Sequence, residues 1–121
     1  MKILFEHANT FSSTFQRKGQ VFENALVARI CIEPGDSEKI HKITEDMLEV
    51  FSLIKPRVLI IFPFSHLSRN LMKQEQAKKF LARLTEKLKK KIAVQTLAFG
   101  TSKGYSVDVK EHKLNNIYRE Y

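Results

Sequence analysis

The sequence is poor in the residues that build disulfide-bonded, zinc-binding and membrane-spanning proteins. Its single cysteine, Cys31, has no partner for an intrachain disulfide, and the cysteine spacing of zinc sites is absent. No apolar run approaches the roughly 20 residues that a membrane helix needs. The start, MKILFEHA, lacks the long apolar segment and the cleavage site of a signal peptide. These absences predict a cytoplasmic protein with no membrane partner.

Glycine and proline are also scarce, with four and three residues in the chain. A phosphate-binding glycine loop, a Gly-x-Ser-x-Gly nucleophile turn and low-complexity repeats are all missing. These absences argue against a P-loop nucleotide-binding protein and against an α/β-hydrolase. The length of 121 residues suits one domain, residues 1–121, with a single core.

Positive charge is what the sequence has in excess. Lys and Arg exceed Asp and Glu by 21 to 13, and the formal net charge is +8. This excess favours a polyanionic partner, most often nucleic acid, although a basic surface without such a partner is an open alternative. The lysine run 87–91 closes a predicted helix, where the helix dipole favours cations, so a structural role explains it as well as contact with a nucleic-acid backbone does.

Hydrophobic periodicity predicts an α/β (α+β) fold, with a mixed sheet and two main helices packed on it. The predicted strands share alternating or continuous apolar patterns and cover residues 2–6, 10–15, 25–33, 57–62, 92–98 and 103–110. The predicted helices share apolar side chains at three- and four-residue steps and cover residues 40–54, 77–88 and, more briefly, 113–118. Gly19 is predicted in a turn, Asp36 or Ser37 at the first helix start, and Pro56 just after that helix.

The order of these elements predicts where a site lies. Residues 25–62 form a strand, helix and strand, which should make a right-handed parallel crossover, and a second such unit follows. The strand over 103–110 is expected to run antiparallel to its predecessor. Ligands bind beyond the carboxyl ends of parallel strands, so His66 and Lys103, each just past such an end, should emerge on one rim.

Other candidate chemistry at the strand ends is weaker. Ser65 and Ser68 lie near His66, but nothing in the pattern pairs either serine with it as a nucleophile. His7 and His112 are also expected at strand ends, which raises the hypothesis of a metal site. Because the close paired spacing of zinc enzymes is missing, we expect neither a metal nor a cofactor.

Four segments together resemble a known family, the amino-terminal editing domain of archaeal threonyl-tRNA synthetases, a relative of the D-aminoacyl-tRNA deacylases. They are KILFEHA, ALVARICIE, VLIIFPFSHLSRNL and LAFGTSKGYSVDVKEHKL, and they span essentially the whole chain. The most specific parts are the FPFSHLS segment and Phe99-Gly100 followed by Lys103. The resemblance implies a D-aminoacyl-tRNA deacylase-like fold.

The resemblance also implies an activity, which is removal of serine wrongly attached to threonine tRNA. In the family the terminal ribose hydroxyl of the tRNA assists, and no metal is needed. The positions that match the catalytic residues are Lys103 and His66. Positions implied to bind the substrate are Pro63, Phe64, Ser65, Ile32, Phe99, Gly100, Ser102, His7 and Asn116. At Ser102 the family usually has an aromatic residue, and at Asn116 an acidic one.

The implied partners are the aminoacylated 3′ end of threonine tRNA, a second copy of the chain in a homodimer, and a catalytic synthetase. An aminoacylation core has no counterpart in the sequence, so we expect that the chain does not charge tRNA by itself and is either an excised domain of a longer synthetase or a freestanding editing factor. The excised domain is the favoured expectation, because the chain ends soon after the family's last helix begins. Two alternatives stay open for the function: a D-aminoacyl-tRNA deacylase, and a non-catalytic tRNA-binding appendage with a decayed site. A purely structural interaction module is the remaining possibility.

Overall fold

In a computed structural model of the chain, residues 1–15, 18–100 and 103–121 are described, and they form one six-stranded mixed sheet carrying two α-helices. The strands are β1 (Lys2–Phe15), β2 (Lys18–Cys31), β3 (Val58–Pro63), β4 (Val94–Thr96), β5 (Gly104–Val109) and β6 (Asn116–Glu120). The helices are α1 (Ile40–Ile54) and α2 (Gln74–Lys89), with short 3₁₀ helices at Asp36–Lys39 and Ser65–Leu67. This confirms the predicted fold class.

The parallel part of the sheet follows the predicted crossovers. The strand order is β4-β3-β2-β1-β5, with β2 parallel to β3 and β3 parallel to β4. Both helices pack on one face of the sheet through one core cluster, in which Met47 of α1 and Phe80 of α2 are fully buried. The apolar stripes of the two helices are therefore buried against the sheet, and the carboxyl ends of β2 and β3 lie at the same edge.

The start of α1 differs from the prediction, because neither Asp36 nor Ser37 caps this helix. Asp36 begins the preceding 3₁₀ helix and is only 1% exposed. Its carboxylate accepts hydrogen bonds from the backbone N–H of Glu33 at 2.7 Å and from the amino group of Met1 at 2.5 Å. The Asp36 carboxylate therefore pairs with the buried amino group of Met1 and does not cap α1. The end of α1 is as predicted, with Lys55 in the left-handed conformation directly before Pro56.

The first two predicted strands are one continuous strand, β1. Its antiparallel pairing with β2 runs from Lys2 opposite Cys31 to Phe15 opposite Lys18, and this ladder holds the polar half of β1 extended. Gly19 lies in β2 opposite Thr14, so its predicted place in a turn is wrong. On the other side of β1, the register with β5 shifts between Ala8 and Thr10.

The carboxyl-terminal third of the chain was predicted less well. β5 pairs with β1 and not with β4, and because it is antiparallel to β1 it runs in the same direction as β4. The helix predicted over residues 113–118 is wrong, since the second half of that segment belongs to β6, which pairs with the first half of β1. In both cases the segment pairs with the open edge of β1. This pairing with a distant strand outweighs the preference that the short local sequence pattern indicated.

The sheet curves so strongly that its two ends approach each other. Tyr105 of β5 contacts Phe62 of β3 edge to face, with 5.0 Å between ring centroids, although β1 and β2 lie between these strands. A second apolar cluster, which includes Phe11, Phe62 and Leu97, fills the concave side. The curvature therefore brings the start of β5 beside the carboxyl end of β3. Within the described residues, no helix is long and apolar enough to cross a membrane.

Candidate functional site

A cavity of about 660 Å³ opens at the carboxyl ends of β2 and β3. Its volume is in the range of small-molecule sites, and its walls are mostly apolar with a few polar groups. The wall consists of side chains from the ends of β2 and β3, the start of α2 and the segment that enters β5, namely Ile30, Cys31, Ile32, Phe62, Pro63, Phe64, Ser65, His66, Leu71, Met72, Gln74, Ala77, Phe99, Gly100, Lys103 and Tyr105.

Most of the predicted site residues meet in this cavity. His66 and Lys103, which are far apart in the sequence, both line it, as the rim argument predicts. So do the predicted substrate-binding positions Ile32, Pro63, Phe64, Ser65, Phe99 and Gly100. Ser102 lies outside the described residues. The parallel β2–β3 pairing brings Ile32 together with residues 63–66, because it ends both strands at the same edge. The curvature of the sheet brings Lys103, at the start of β5, beside them.

His7 does not line the cavity, and its predicted place at a strand end is wrong. It lies in the interior of β1 and is 5% exposed. Its Nδ1 is 2.8 Å from Nε2 of His112, and its Nε2 is 2.7 Å from Oδ1 of Asn24. The N–H of Leu114 donates to Nδ1 of His112, so two neutral imidazoles satisfy the whole chain of hydrogen bonds. This cluster ties the β5–β6 connection to β1, which is a structural role.

Asn116 also lies away from the cavity. It is an exposed residue of β6, opposite Glu6 of β1, and its side-chain amide donates to the Asn115 side chain at 3.2 Å. The resemblance implied that this position belongs to a final helix that reaches the site. Because residues 116–120 form a strand on the far edge of β1, Asn116 is not brought to the cavity in this chain.

Lys103 projects its ammonium group into an apolar part of the cavity. The Nζ atom is 5.4 Å from the centroid of the Phe62 ring, and the residue is half-buried. Burial lowers the pKa of this ammonium below its ordinary value. A cation in a partly desolvated place interacts more strongly with developing negative charge than a lysine in bulk water does.

This lowered pKa gives Lys103 a pH-dependent effect on stability. The unfolded chain binds the proton more tightly than the folded chain, so the free energy of unfolding should rise as pH increases from the lowered pKa towards about 10.4. Below the lowered pKa, the full cost of burying the charged ammonium group reduces the free energy of unfolding. Lys103→Met keeps the aliphatic stem and should reduce the rise, as denaturant titrations across alkaline pH can measure. An identical pH dependence in both proteins would contradict this expectation.

His66 is held in the 3₁₀ helix after β3 and is exposed. Its ring packs edge to face on Phe64, with 4.9 Å between ring centroids. It also borders a second, more polar cavity of about 440 Å³, together with Glu33, Ser68 and other residues. His66 therefore lies at the boundary between the apolar cavity and a polar surface depression.

The two serines near His66 give no nucleophile pair in the described part of the chain. The Ser68 hydroxyl donates to Oε2 of Glu33 at 2.5 Å, and no hydrogen bond joins Ser65 or Ser68 to His66 there. Burial raises the pKa of Glu33, but the Ser68 hydrogen bond and the Met1 amino group outweigh it, and the net pKa is low. The Ser68 hydroxyl therefore donates its hydrogen bond to the Glu33 carboxylate and not to His66. This agrees with the prediction that neither serine is paired with His66 as a nucleophile.

Gly100 allows the chain to pass close to α2 at the cavity wall. Its φ of +71° is in the region that favours glycine, and a Cβ atom there would lie 3.1 Å from Nε2 of Gln74. A larger residue would both strain the backbone and press on Gln74. The glycine therefore allows Phe99 and Gly100 to form part of the wall.

Two residues that support the cavity were not identified from the sequence. The guanidinium carbon of Arg29 lies 5.3 Å from the Phe64 ring centroid and 5.2 Å from that of Tyr105. Its Nη2 is 2.7 Å from Oε1 of Glu6, and both side chains are largely buried. Arg29 could have been identified as a charged residue inside an otherwise apolar predicted strand, because a buried charge needs a partner of opposite charge.

Among the residues that the structure describes, no three or more His, Cys, Asp or Glu side chains converge as a metal site would require. The polar groups that line the cavity are the Lys103 ammonium, the His66 imidazole, the Gln74 amide and the hydroxyls of Ser65 and Tyr105. These groups can bind a carbonyl oxygen, a ribose hydroxyl or a water molecule. The Lys103 ammonium can also stabilise negative charge on a bound oxygen atom.

The fold occurs in known structures. The chain is similar to the c-Myc DNA unwinding element binding protein, with a TM-score of 0.85, 16% identity and coverage of 100% of this chain and 99% of that one. At this identity the likeness shows the fold alone. The fold is the predicted D-aminoacyl-tRNA deacylase-like one.

Relatives that share more of the sequence are tRNA ligases or parts of them. The threonine–tRNA ligase editing subunit of Saccharolobus solfataricus is 34% identical over 98% of this chain and 34% of that protein. The threonine–tRNA ligase of Staphylothermus marinus is 30% identical over 97% of this chain and 22% of that protein. The threonine–tRNA ligase of Pyrococcus horikoshii is 33% identical over 86% of this chain and 17% of that protein. The matched part thus spans about a third or less of these relatives.

A match to a protein family covers residues 1–121, the full length of the chain. The family is the archaea-specific editing domain of threonyl-tRNA synthetase. Because the match is complete, the chain belongs to the archaea-specific editing domain family of threonyl-tRNA synthetase.

Proposed function

We propose that the cavity hydrolyses the ester that joins serine to threonine tRNA, releasing free serine and intact tRNA. The observation that carries the proposal is the convergence of Lys103 and His66 in one cavity at the ends of β2 and β3. Membership of the editing-domain family supports the same reaction class.

The need for a second site follows from the energetics of discrimination. A site that selects threonine loses only about 1–3 kcal/mol when the methyl group is missing, so it accepts serine too often. An editing cavity must instead accept serine and reject the larger threonine. A rigid wall can do this, because it excludes the extra methyl group sterically. Ile32, directly after β2, is 4% exposed, and Pro63, at the end of β3, is partly buried. Both line the cavity, so they are suited to form such a wall.

In the proposed reaction a water oxygen bonds to the ester carbonyl carbon, and the bond from that carbon to the ribose oxygen breaks. The ribose oxygen leaves with a proton. Lys103 stabilises the negative charge that develops on the carbonyl oxygen, or holds the attacking water. His66, at the polar boundary of the cavity, positions the ribose, whose free hydroxyl assists the reaction.

The test is hydrolysis by the purified chain of threonine tRNA charged with L-serine, with L-threonine or with a D-amino acid. We expect release of L-serine and little release of L-threonine. Preferential release of the D-amino acid would favour a D-aminoacyl-tRNA deacylase, an alternative that the shared fold supports. Binding of the tRNA with no cleavage of any ester would contradict the proposal and indicate a non-catalytic tRNA-binding appendage.

We also propose that the chain acts as a homodimer and works together with a catalytic synthetase. Exposed apolar side chains such as Val21 and Leu53 offer contact area, at 67% and 57% exposure. The molar mass from light scattering at micromolar concentration tests the dimer, and a monomer mass would refute it.

A further inference from the structure

The positive charge of the chain is concentrated on α2 and its two ends. Residues 73–91 carry eight basic and two acidic side chains, which is a net charge of +6 out of the total of +8. We define the basic face as the basic side chains of this segment, which are Lys73, Lys78, Lys79, Arg83, Lys87, Lys89, Lys90 and Lys91. All of them are exposed except Lys87, which is half-buried.

This charge is not a general property of the surface. Helix α1 packs on the same face of the sheet as α2, yet it carries one lysine against three acidic residues. A chain that only needed a soluble surface would have no reason to separate its charges in this way. The separation indicates a function for one side of the molecule.

Interactions within the chain explain only part of the basic face. The helix dipole favours the cations at the carboxyl end of α2, but Lys78, Lys79 and Arg83 lie before its last turn. Lys79, Arg83 and Lys87 repeat at four-residue spacing, so neighbouring cations repel each other. In the part of the chain that the structure describes, none of the eight basic side chains forms an ion pair.

The basic face starts at the wall of the cavity. Gln74 and Ala77, in the first turn of α2, line the cavity, and Lys78 follows directly. From there the 16 residues of the helix extend over about 24 Å. A polyanion with one end in the cavity can therefore run along α2 and meet successive cations.

We infer that the basic face of α2 docks the sugar–phosphate backbone of an RNA duplex, the acceptor stem of the tRNA whose 3′ end enters the cavity. The identity of that RNA rests on the proposed function, whereas the docking surface rests on the charge distribution. Lysine and arginine side chains without ion-pair partners suit phosphates, because binding releases the counterions of the RNA.

The test compares two variants that lose the same charge at different places. One replaces Lys78, Lys79 and Arg83 by glutamine on α2, outside the cavity lining. The matched control replaces the exposed Lys39, Lys42 and Arg57 by glutamine. Binding of uncharged threonine tRNA is measured over a range of salt concentrations. We expect the α2 variant to lose about tenfold or more in affinity at low salt, and its salt slope to fall by about 1 per lost contact.

A small substrate separates this inference from the proposed function. The serine ester of adenosine has the group that enters the cavity but no stem, so the α2 variant should hydrolyse it like the unmodified chain. If the unmodified chain cleaves no ester while tRNA binding still depends on α2, the proposed function fails and the docking surface stands.

Two results would overturn the inference. Equal loss of tRNA affinity in both variants would show that only the total charge matters. Unchanged tRNA binding in the α2 variant, with reduced binding to phosphatidylserine vesicles, would show that α2 contacts an anionic membrane surface instead.

Discussion

Replacement of Lys103 by alanine is expected to slow the hydrolysis of serine-charged tRNA by about 100-fold or more, the typical cost of losing one group that stabilises an oxyanion. The ammonium group lies 5.4 Å from the Phe62 ring centroid, and the residue is half-buried. Because the role proposed for Lys103 is to stabilise charge that develops only in the transition state, we expect tRNA affinity to change little. Single-turnover rates and equilibrium binding separate the two effects.

Two further variants show whether position or charge is needed at residue 103. Lys103→Arg keeps the cation but spreads it over a larger planar group, so it should restore the rate only in part. Lys110→Ala removes an exposed lysine just past β5 and serves as the matched control. His66→Ala should also slow hydrolysis, because the ribose loses its positioning contact. An unchanged rate in Lys103→Ala would contradict the assigned role.

Replacement of Arg29 by methionine is expected to lower the free energy of unfolding by about 3–5 kcal/mol, because it leaves a buried charge without its partner. Glu6 and Arg29 are 12% and 14% exposed, and 2.7 Å separates Oε1 from Nη2. The guanidinium also lies against the rings of Phe64 and Tyr105, two walls of the cavity. Hydrolysis should therefore become slower even where the variant is still folded.

The combination of Glu6→Gln with Arg29→Met distinguishes a lost ion pair from lost packing. If the uncompensated carboxylate causes the destabilisation, the double variant should be more stable than Arg29→Met alone. Chemical denaturation measures both, with Arg57→Met as the control at an exposed arginine. A loss in Arg29→Met no larger than in Arg57→Met would show that the ion pair contributes little to stability.

The parallel half of the fold was predictable because its signals are local. Continuous apolar strands at 57–62 and 92–98, separated by a helical stripe, permit few arrangements other than right-handed crossovers. The place of His66 followed from these crossovers without any knowledge of side-chain contacts, whereas Lys103 reaches the same cavity because the curvature of the sheet brings the start of β5 beside the end of β3. Of the predicted site residues, those directly after β2 and β3 line the cavity, because a strand end fixes a position in space. Their role in binding or catalysis stays a prediction.

The incorrect predictions fall on segments that have no strong pattern of their own. Residues 113–118 are too short to specify a helix, and the open edge of β1 takes them as β6. His7 was expected at a strand end because the break between residues 6 and 10 looked like the end of a strand. The pairing with β2 continues through this break, so His7 is buried against Asn24 and His112.

By itself, the sequence determined the fold class, the two crossovers and the rim where the cavity opens, because hydrophobic period and strand direction are short-range properties. Only the tertiary structure decided that β5 and β6 share the outer edge of β1, and that Arg29 joins Glu6 to the aromatic walls of the cavity. The concentration of charge on α2 could be counted in the sequence, but its position beside the cavity could not. These features depend on contacts between distant segments, whose energies no local pattern contains.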